Sequence, residues 1–97
     1  DWVVLVHGAG GSSSVWFRQL RAYREEFNLL LVDLRGHGGS ARLRDGREHK
    51  PYTFESVSRE VVEVLDHLEI EKAHFVGISL GSLIARIGCS RCCWAAR

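Results

Sequence analysis

The chain of 97 residues has no methionine, a single proline, and no apolar run near the ~18 residues that a membrane-spanning helix needs. It opens at Asp1 directly into Trp2-Val3-Val4-Leu5-Val6, with no basic start or signal-peptide cleavage site before this first apolar segment. From these absences we expect a piece of a longer polypeptide, soluble and cytoplasmic, with no address in the visible part. Removal of a start methionine from a chain without internal methionine is the alternative. An excess of one charge is also missing: 13 basic against 12 acidic residues give a formal charge of +1, and the basic residues are spread out. The densest charged stretch, 42–50, alternates in sign without interleaved aromatics, which predicts a solvated loop rather than a phosphate-binding patch. Nucleic acid is therefore not an expected partner.

Cysteine is absent until the last nine residues, where Cys89, Cys92 and Cys93 cluster. A Cys-x-x-Cys pair can ligate zinc or run redox chemistry, but a structural zinc site wants four ligands and no second pair lies nearby. No metal site is expected. The stretch 88–97 shifts abruptly in composition and follows neither a strand nor a helix period, so we expect residues 1–87 to form part of one domain and 88–97 to be a tail foreign to it, such as a frameshifted end. Without that tail the formal charge becomes −1, because two arginines and no acids leave with it. One further absence concerns chemistry: the eighteen residues after Ser79 contain no Asp, Glu or His.

What is present alternates strand with helix. Apolar residues make up 45% and charged residues 26%, ordinary proportions for a globular chain. Trp2 to Val6 is apolar without alternation, as in a parallel strand buried on both faces. It ends in His7-Gly8-Ala9-Gly10-Gly11, after which Ser12, Ser13 or Ser14 can cap a helix carrying Val15, Trp16, Leu20 and Tyr23. Phe27 to Val32 reads as a second buried strand, followed by Asp33-Leu34-Arg35-Gly36-His37-Gly38-Gly39-Ser40 and a loop to Tyr52. Thr53 then caps the clearest amphipathic helix, with Glu55 in its first turn and Phe54, Val57, Val61, Val64, Leu65 and Leu68 at helical spacing. Ala73 to Val76 is the third strand. It runs into Gly77-Ile78-Ser79-Leu80-Gly81 and a third helix.

Strand, G-x-S-x-G, then helix is the layout of a turn that lifts a serine above a sheet. Glycine is wanted two residues before and after the serine because the helix starts back hard against the strand, and Gly77 and Gly81 meet that need. The serine hydroxyl then lies over a helix N-terminus, where backbone N–H groups favour developing negative charge. Small residues around a serine also occur in ordinary strand-to-helix turns, which is the plain alternative. The element order predicts an α/β fold with a doubly wound, mostly parallel sheet of three strands and three helices, and ligands in such sheets bind beyond the carboxyl ends of the strands. All three glycine-rich loops lie at that end.

With these three motifs in this order, residues 1–87 resemble the α/β-hydrolase superfamily, specifically its serine-nucleophile branch of small-molecule esterases and lactonases. The resemblance implies a sheet in which the second strand lies outside the first and the third crosses to the other side. It makes Ser79 the nucleophile and the Leu80 N–H one oxyanion donor, with the second donor from Ala9, or else Gly10. It gives His7 and Gly8 a part in shaping that turn, Arg35 and His37 a bracing role beside the elbow, and Asp33 a hydrogen-bonding role in its loop. His49, His67 and His74 are expected away from the site. The substrate implied is a small acyl compound, with no metal or organic cofactor; the oligomeric state stays open. The family's acid and histidine follow later strands, so this chain by itself is expected to be inactive, with the strand carrying Phe75 left as an unpaired edge and the chain insoluble or partly folded. Two other readings remain: a non-catalytic hydrolase-like fragment, and a dinucleotide-binding domain in which Gly8-Ala9-Gly10 follows a strand and Asp33 ends the next one. The third glycine of that fingerprint is replaced by Ser13.

Overall fold

A computed structural model describes residues 1–40, 53–88 and 94–96. The expectations for the charged stretch 42–50, for His49 and for Cys89, Cys92 and Cys93 lie outside the described residues.

Strand β1 (Trp2–Val6) forms the middle of a parallel sheet, paired on one side with β2 (Asn28–Val32) and on the other with β3 (His74–Gly77). The strand order is β2-β1-β3-β4, so the chain reverses its direction of travel across the sheet between β1 and β3, as expected. The fourth strand, β4 (Trp94–Ala96), runs parallel to β3 with Phe75 opposite Trp94. This corrects the expectation that β3 would be an unpaired edge. The backbone groups on its outer side are taken up by a short strand that side-chain patterning did not signal.

The helices divide between the two faces of the sheet. On one face, Val4, Val6, Val32, Leu34 and Phe75 pack with Val57, Val61 and Leu65 of α2 (Phe54–His67) and with Ile84 and Ala85 of α3 (Leu80–Gly88). On the other, Val3, Leu5, Leu29 and Val76 line an open apolar cavity together with Trp16 of a 3-10 turn (Ser13–Trp16), Tyr23 of the short α1 (Phe17–Tyr23), and Phe27. The period-2 alternation of β1 thus sends Val4 and Val6 one way and Val3 and Leu5 the other. Phe75 is fully buried, and truncating such a side chain to alanine costs about 3–5 kcal/mol.

Two boundaries differ from expectation. The segment after the first loop is not one helix: Ser12 caps the 3-10 turn, accepting from the Ser14 N–H, and α1 begins only at Phe17. Phe27 falls outside β2 and packs against Tyr23, with ring centroids 6.3 Å apart. Helix α2 begins after Thr53 as read from the sequence, but its N-cap partner is Ser56: the Ser56 N–H donates to Thr53 Oγ1 at 3.0 Å and the Thr53 N–H to Ser56 Oγ at 3.1 Å. No helix among the described residues is long and apolar enough to cross a membrane.

Candidate active site

The carboxyl ends of β1, β2 and β3 carry the three glycine-rich loops, and the structure brings two of them into direct contact. A methyl group placed on Gly8 would lie 3.3 Å from the Ile78 carbonyl oxygen and 3.5 Å from Ser79 Cβ. The turn after β1 therefore lies against the elbow after β3. The elbow itself depends on its glycines: a Cβ on Gly81 would come within 2.5 Å of the His7 carbonyl oxygen, and one on Gly77 within 2.6 Å of the Ser82 nitrogen. Neither position has room for a side chain.

Ser79 is exposed and held at φ 54°, the left-handed region. A non-glycine residue there costs about 1–2 kcal/mol and persists only where its surroundings fix it. Here its carbonyl oxygen accepts from the Ser82 N–H at 2.9 Å and from Ser82 Oγ at 2.6 Å, while the Ile78 N–H donates to Val6 O at 3.2 Å. Ser82 is a supporting residue that the sequence reading missed; a serine three positions after the nucleophile was the available signal. Among the described residues Ser79 Oγ has no hydrogen-bond partner, and neither do the N–H groups of Leu80, Ala9 and Gly10. The sequence reading singled out these same groups, and the geometry leaves both Ala9 and Gly10 open as donors.

His7 lies at the end of β1, fully buried. Its Nε2 is 3.1 Å from the Leu34 N–H, and since a backbone N–H can only donate, that nitrogen must accept. The proton therefore sits on Nδ1, which donates to the Gly8 carbonyl oxygen at 2.7 Å. Both ring nitrogens are thus committed to shaping the turn, and neither is available to a serine hydroxyl. The His37 ring lies 4.9 Å from that of His7, and its Nδ1 contacts the Arg35 carbonyl at 3.1 Å.

Asp33 links two loops. Its Oδ1 accepts from the Ser13 N–H at 2.7 Å and its Oδ2 from the Gly39 N–H at 3.0 Å. The Ser13 bond foremost, aided by the Gly39 bond against the opposing effect of burial, holds its carboxyl below the usual carboxylate range. A carboxylate spent in this way is not offered to a ribose, which removes one of the two features that favoured dinucleotide binding. Gly38, at φ +50°, passes so close that any Cβ would collide with Asp33. Arg35 was expected beside the elbow; its guanidinium instead reaches α2, with Nε 3.1 Å from Glu60 Oε2 and Nη2 3.1 Å from Ser56 Oγ. The loop is anchored to that helix because Ser56 and Glu60 stand one turn apart on the same face. His67 and His74 are exposed, on α2 and at the start of β3.

Residues 1–91 match the family model of the alpha/beta hydrolase fold, and the chain belongs to that family. Over 83 residues it is 34% identical to 3-oxoadipate enol-lactonase 1 of Acinetobacter baylyi, an overlap that takes in 86% of this chain and 29% of the lactonase. Among solved structures it resembles a hydrolase from Pseudomonas aeruginosa PA01, with a TM-score of 0.77 and 36% identity over 89% of this chain and 31% of that one. The enol-lactonase from Burkholderia xenovorans LB400 is similar at a TM-score of 0.72 and 33% identity, covering 88% of this chain and 31% of that one. The chain thus spans about a third of the length of these relatives.

Proposed function

We propose that this chain is the nucleophile-bearing part of a serine hydrolase that opens small carboxylic esters, lactones or related acyl compounds. The observation that carries this reading is Ser79, exposed at φ 54° at the tip of the elbow, with its hydroxyl and the adjacent Leu80 N–H both uncommitted among the described residues. In this mechanism Ser79 Oγ attacks the acyl carbon and loses its proton to a base, and the alkoxide leaves to give an acyl-enzyme; water then releases the acid. The developing oxyanion is met by the N–H groups of Leu80 and of Ala9, or Gly10 in its place. Two relatives named enol-lactonases support the acyl class of substrate.

Among the described residues no base is hydrogen-bonded to Ser79 Oγ. The eighteen residues beyond Ser79 hold no His, Asp or Glu, and the buried His7 is fully engaged. We infer that these 97 residues alone do not turn over substrate, since losing triad members costs on the order of 10⁴ to 10⁶ in rate. The test reads the coding DNA beyond the codon for Ile87 in all three frames and expresses the longest product. An Asp or Glu at a strand end and a late His are expected in one frame, with hydrolysis of p-nitrophenyl acetate that Ser79→Ala lowers about 10⁴-fold or more. Unchanged hydrolysis in Ser79→Ala would exclude the serine mechanism.

A further inference from the structure

The turn that offers the Ala9 and Gly10 N–H groups is held at both ends by one dipeptide of another loop. At its start, the Leu34 N–H donates to His7 Nε2, and His7 Nδ1 donates to the Gly8 carbonyl. At its end, Asp33 Oδ1 takes the Ser13 N–H at 2.7 Å. Between them the turn is closed on itself by one bond, from the Gly11 N–H to Gly8 O at 3.0 Å. The glycines leave this turn pliable: Gly10 sits at φ +77° with nothing near its would-be Cβ. Its shape is therefore set by this one bond together with its two anchors.

We propose that Asp33 is a positioning residue for the oxyanion site: its carboxylate pins the Ser13 end of the turn and so aims the Ala9 and Gly10 N–H groups at the space above Ser79. The second bond, from the Gly39 N–H to Oδ2, fixes the carboxylate's own direction. This rests on the reading of Ser79 as the nucleophile. An oxyanion donor moved by about 1 Å costs on the order of 10²-fold in rate, whereas a hydrogen bond that only steadied a surface loop would change stability and leave the reactivity of each folded molecule as it was.

The test compares the 97-residue chain with Asp33→Ala, Asp33→Asn and Ser13→Pro. Ser13→Pro removes the donor and, by placing its ring carbon where the N–H met Oδ1, also pushes the Asp33 carboxylate off the turn; the backbone itself suits Pro because Ser12 is extended, at φ −160° and ψ 178°, and Ser13 opens the 3-10 turn. Two quantities are read per folded molecule: amide shifts of Ala9 and Gly10 by NMR, and the rate at which a fluorophosphonate labels Ser79. Asp33→Ala and Ser13→Pro should both move the two amide resonances and slow labelling about 10-fold to 100-fold. Asp33→Asn, which keeps one acceptor for Ser13 but turns its NH2 toward the Gly39 N–H, should recover part of that rate. Unmoved Ala9 and Gly10 amides in Ser13→Pro would overturn the proposal, as would labelling equal to that of the unaltered chain. If the unaltered chain takes no label at all, as a serine without its base would not, the nucleophile reading rests on hydrolysis by the longer product, and the amide shifts alone decide whether Asp33 positions the turn.

Discussion

Two residues in the described chain adopt the left-handed conformation without being glycine, Glu69 at φ 60° and Ser79 at φ 54°. They are alike in strain and unlike in purpose. Glu69 follows the end of α2, where the Ile70 N–H reaches back to the Leu65 carbonyl at 2.9 Å and both side chains are buried. That is the arrangement in which glycine normally stands. The Glu69 side chain is exposed and precedes β3, whose far end carries the elbow, so Glu69→Gly should relieve about 1–2 kcal/mol of strain and return about 0.5–1 kcal/mol through the freer unfolded chain. A net gain of about 0.5–1 kcal/mol, seen as a melting temperature higher by a few degrees, is expected. A lower melting temperature would show that the glutamate is not strained there. The strain at Ser79 is instead sustained by Ser82 and by the contact with β1, because the nucleophile must project from the turn.

Helix α2 was legible from the sequence because every signal for it is local: a threonine cap, an acidic first turn and apolar residues at helical spacing. What the local pattern did not reveal is that its capping box is joined to the neighbouring loop. Ser56 serves Thr53 within the box and also accepts from the Arg35 guanidinium, whose Nε pairs with Glu60 one turn on. Thr53→Ala should therefore cost about 1 kcal/mol, and Ser56→Ala a comparable amount. The double variant should lose less than the two losses added, since both substitutions break the same box. Chemical denaturation of the four proteins measures this coupling, and strict additivity would mean that the box does not act as a unit. The first helix was less legible: three consecutive serines each qualify as a cap, and the choice of Ser12, with a 3-10 turn before α1, becomes intelligible only with the Asp33 bond to the Ser13 N–H.

Across the whole molecule the same division holds. The strand order came from the resemblance to the family, while the strands themselves, the elbow and the two glycines around it follow from residues near one another in sequence. The clamps between loops do not: Asp33 to Ser13, His7 to Leu34 and Arg35 to Glu60 join residues 20 to 27 positions apart, and the pairing of β4 with β3 follows from an open strand edge rather than from any pattern in residues 94–96. Because Asp33 ties the loop after β2 to the turn after β1, its ionisation bears on the stability of the folded chain. Its carboxyl is held below the ordinary value of 3.8 by the bonds it accepts. The folded state therefore binds that proton less readily than the unfolded chain, and the resulting stabilisation is fully present above about pH 4 and lost as pH falls through the folded value. Asp33→Asn carries no such charge. The difference in melting temperature between the unaltered chain and Asp33→Asn should thus be largest near pH 7, hold down to about pH 5, and shrink as the solution is acidified below pH 4. A difference that stays constant into that acidic range would mean that the two loops are joined by the shape of the side chain and not by its charge.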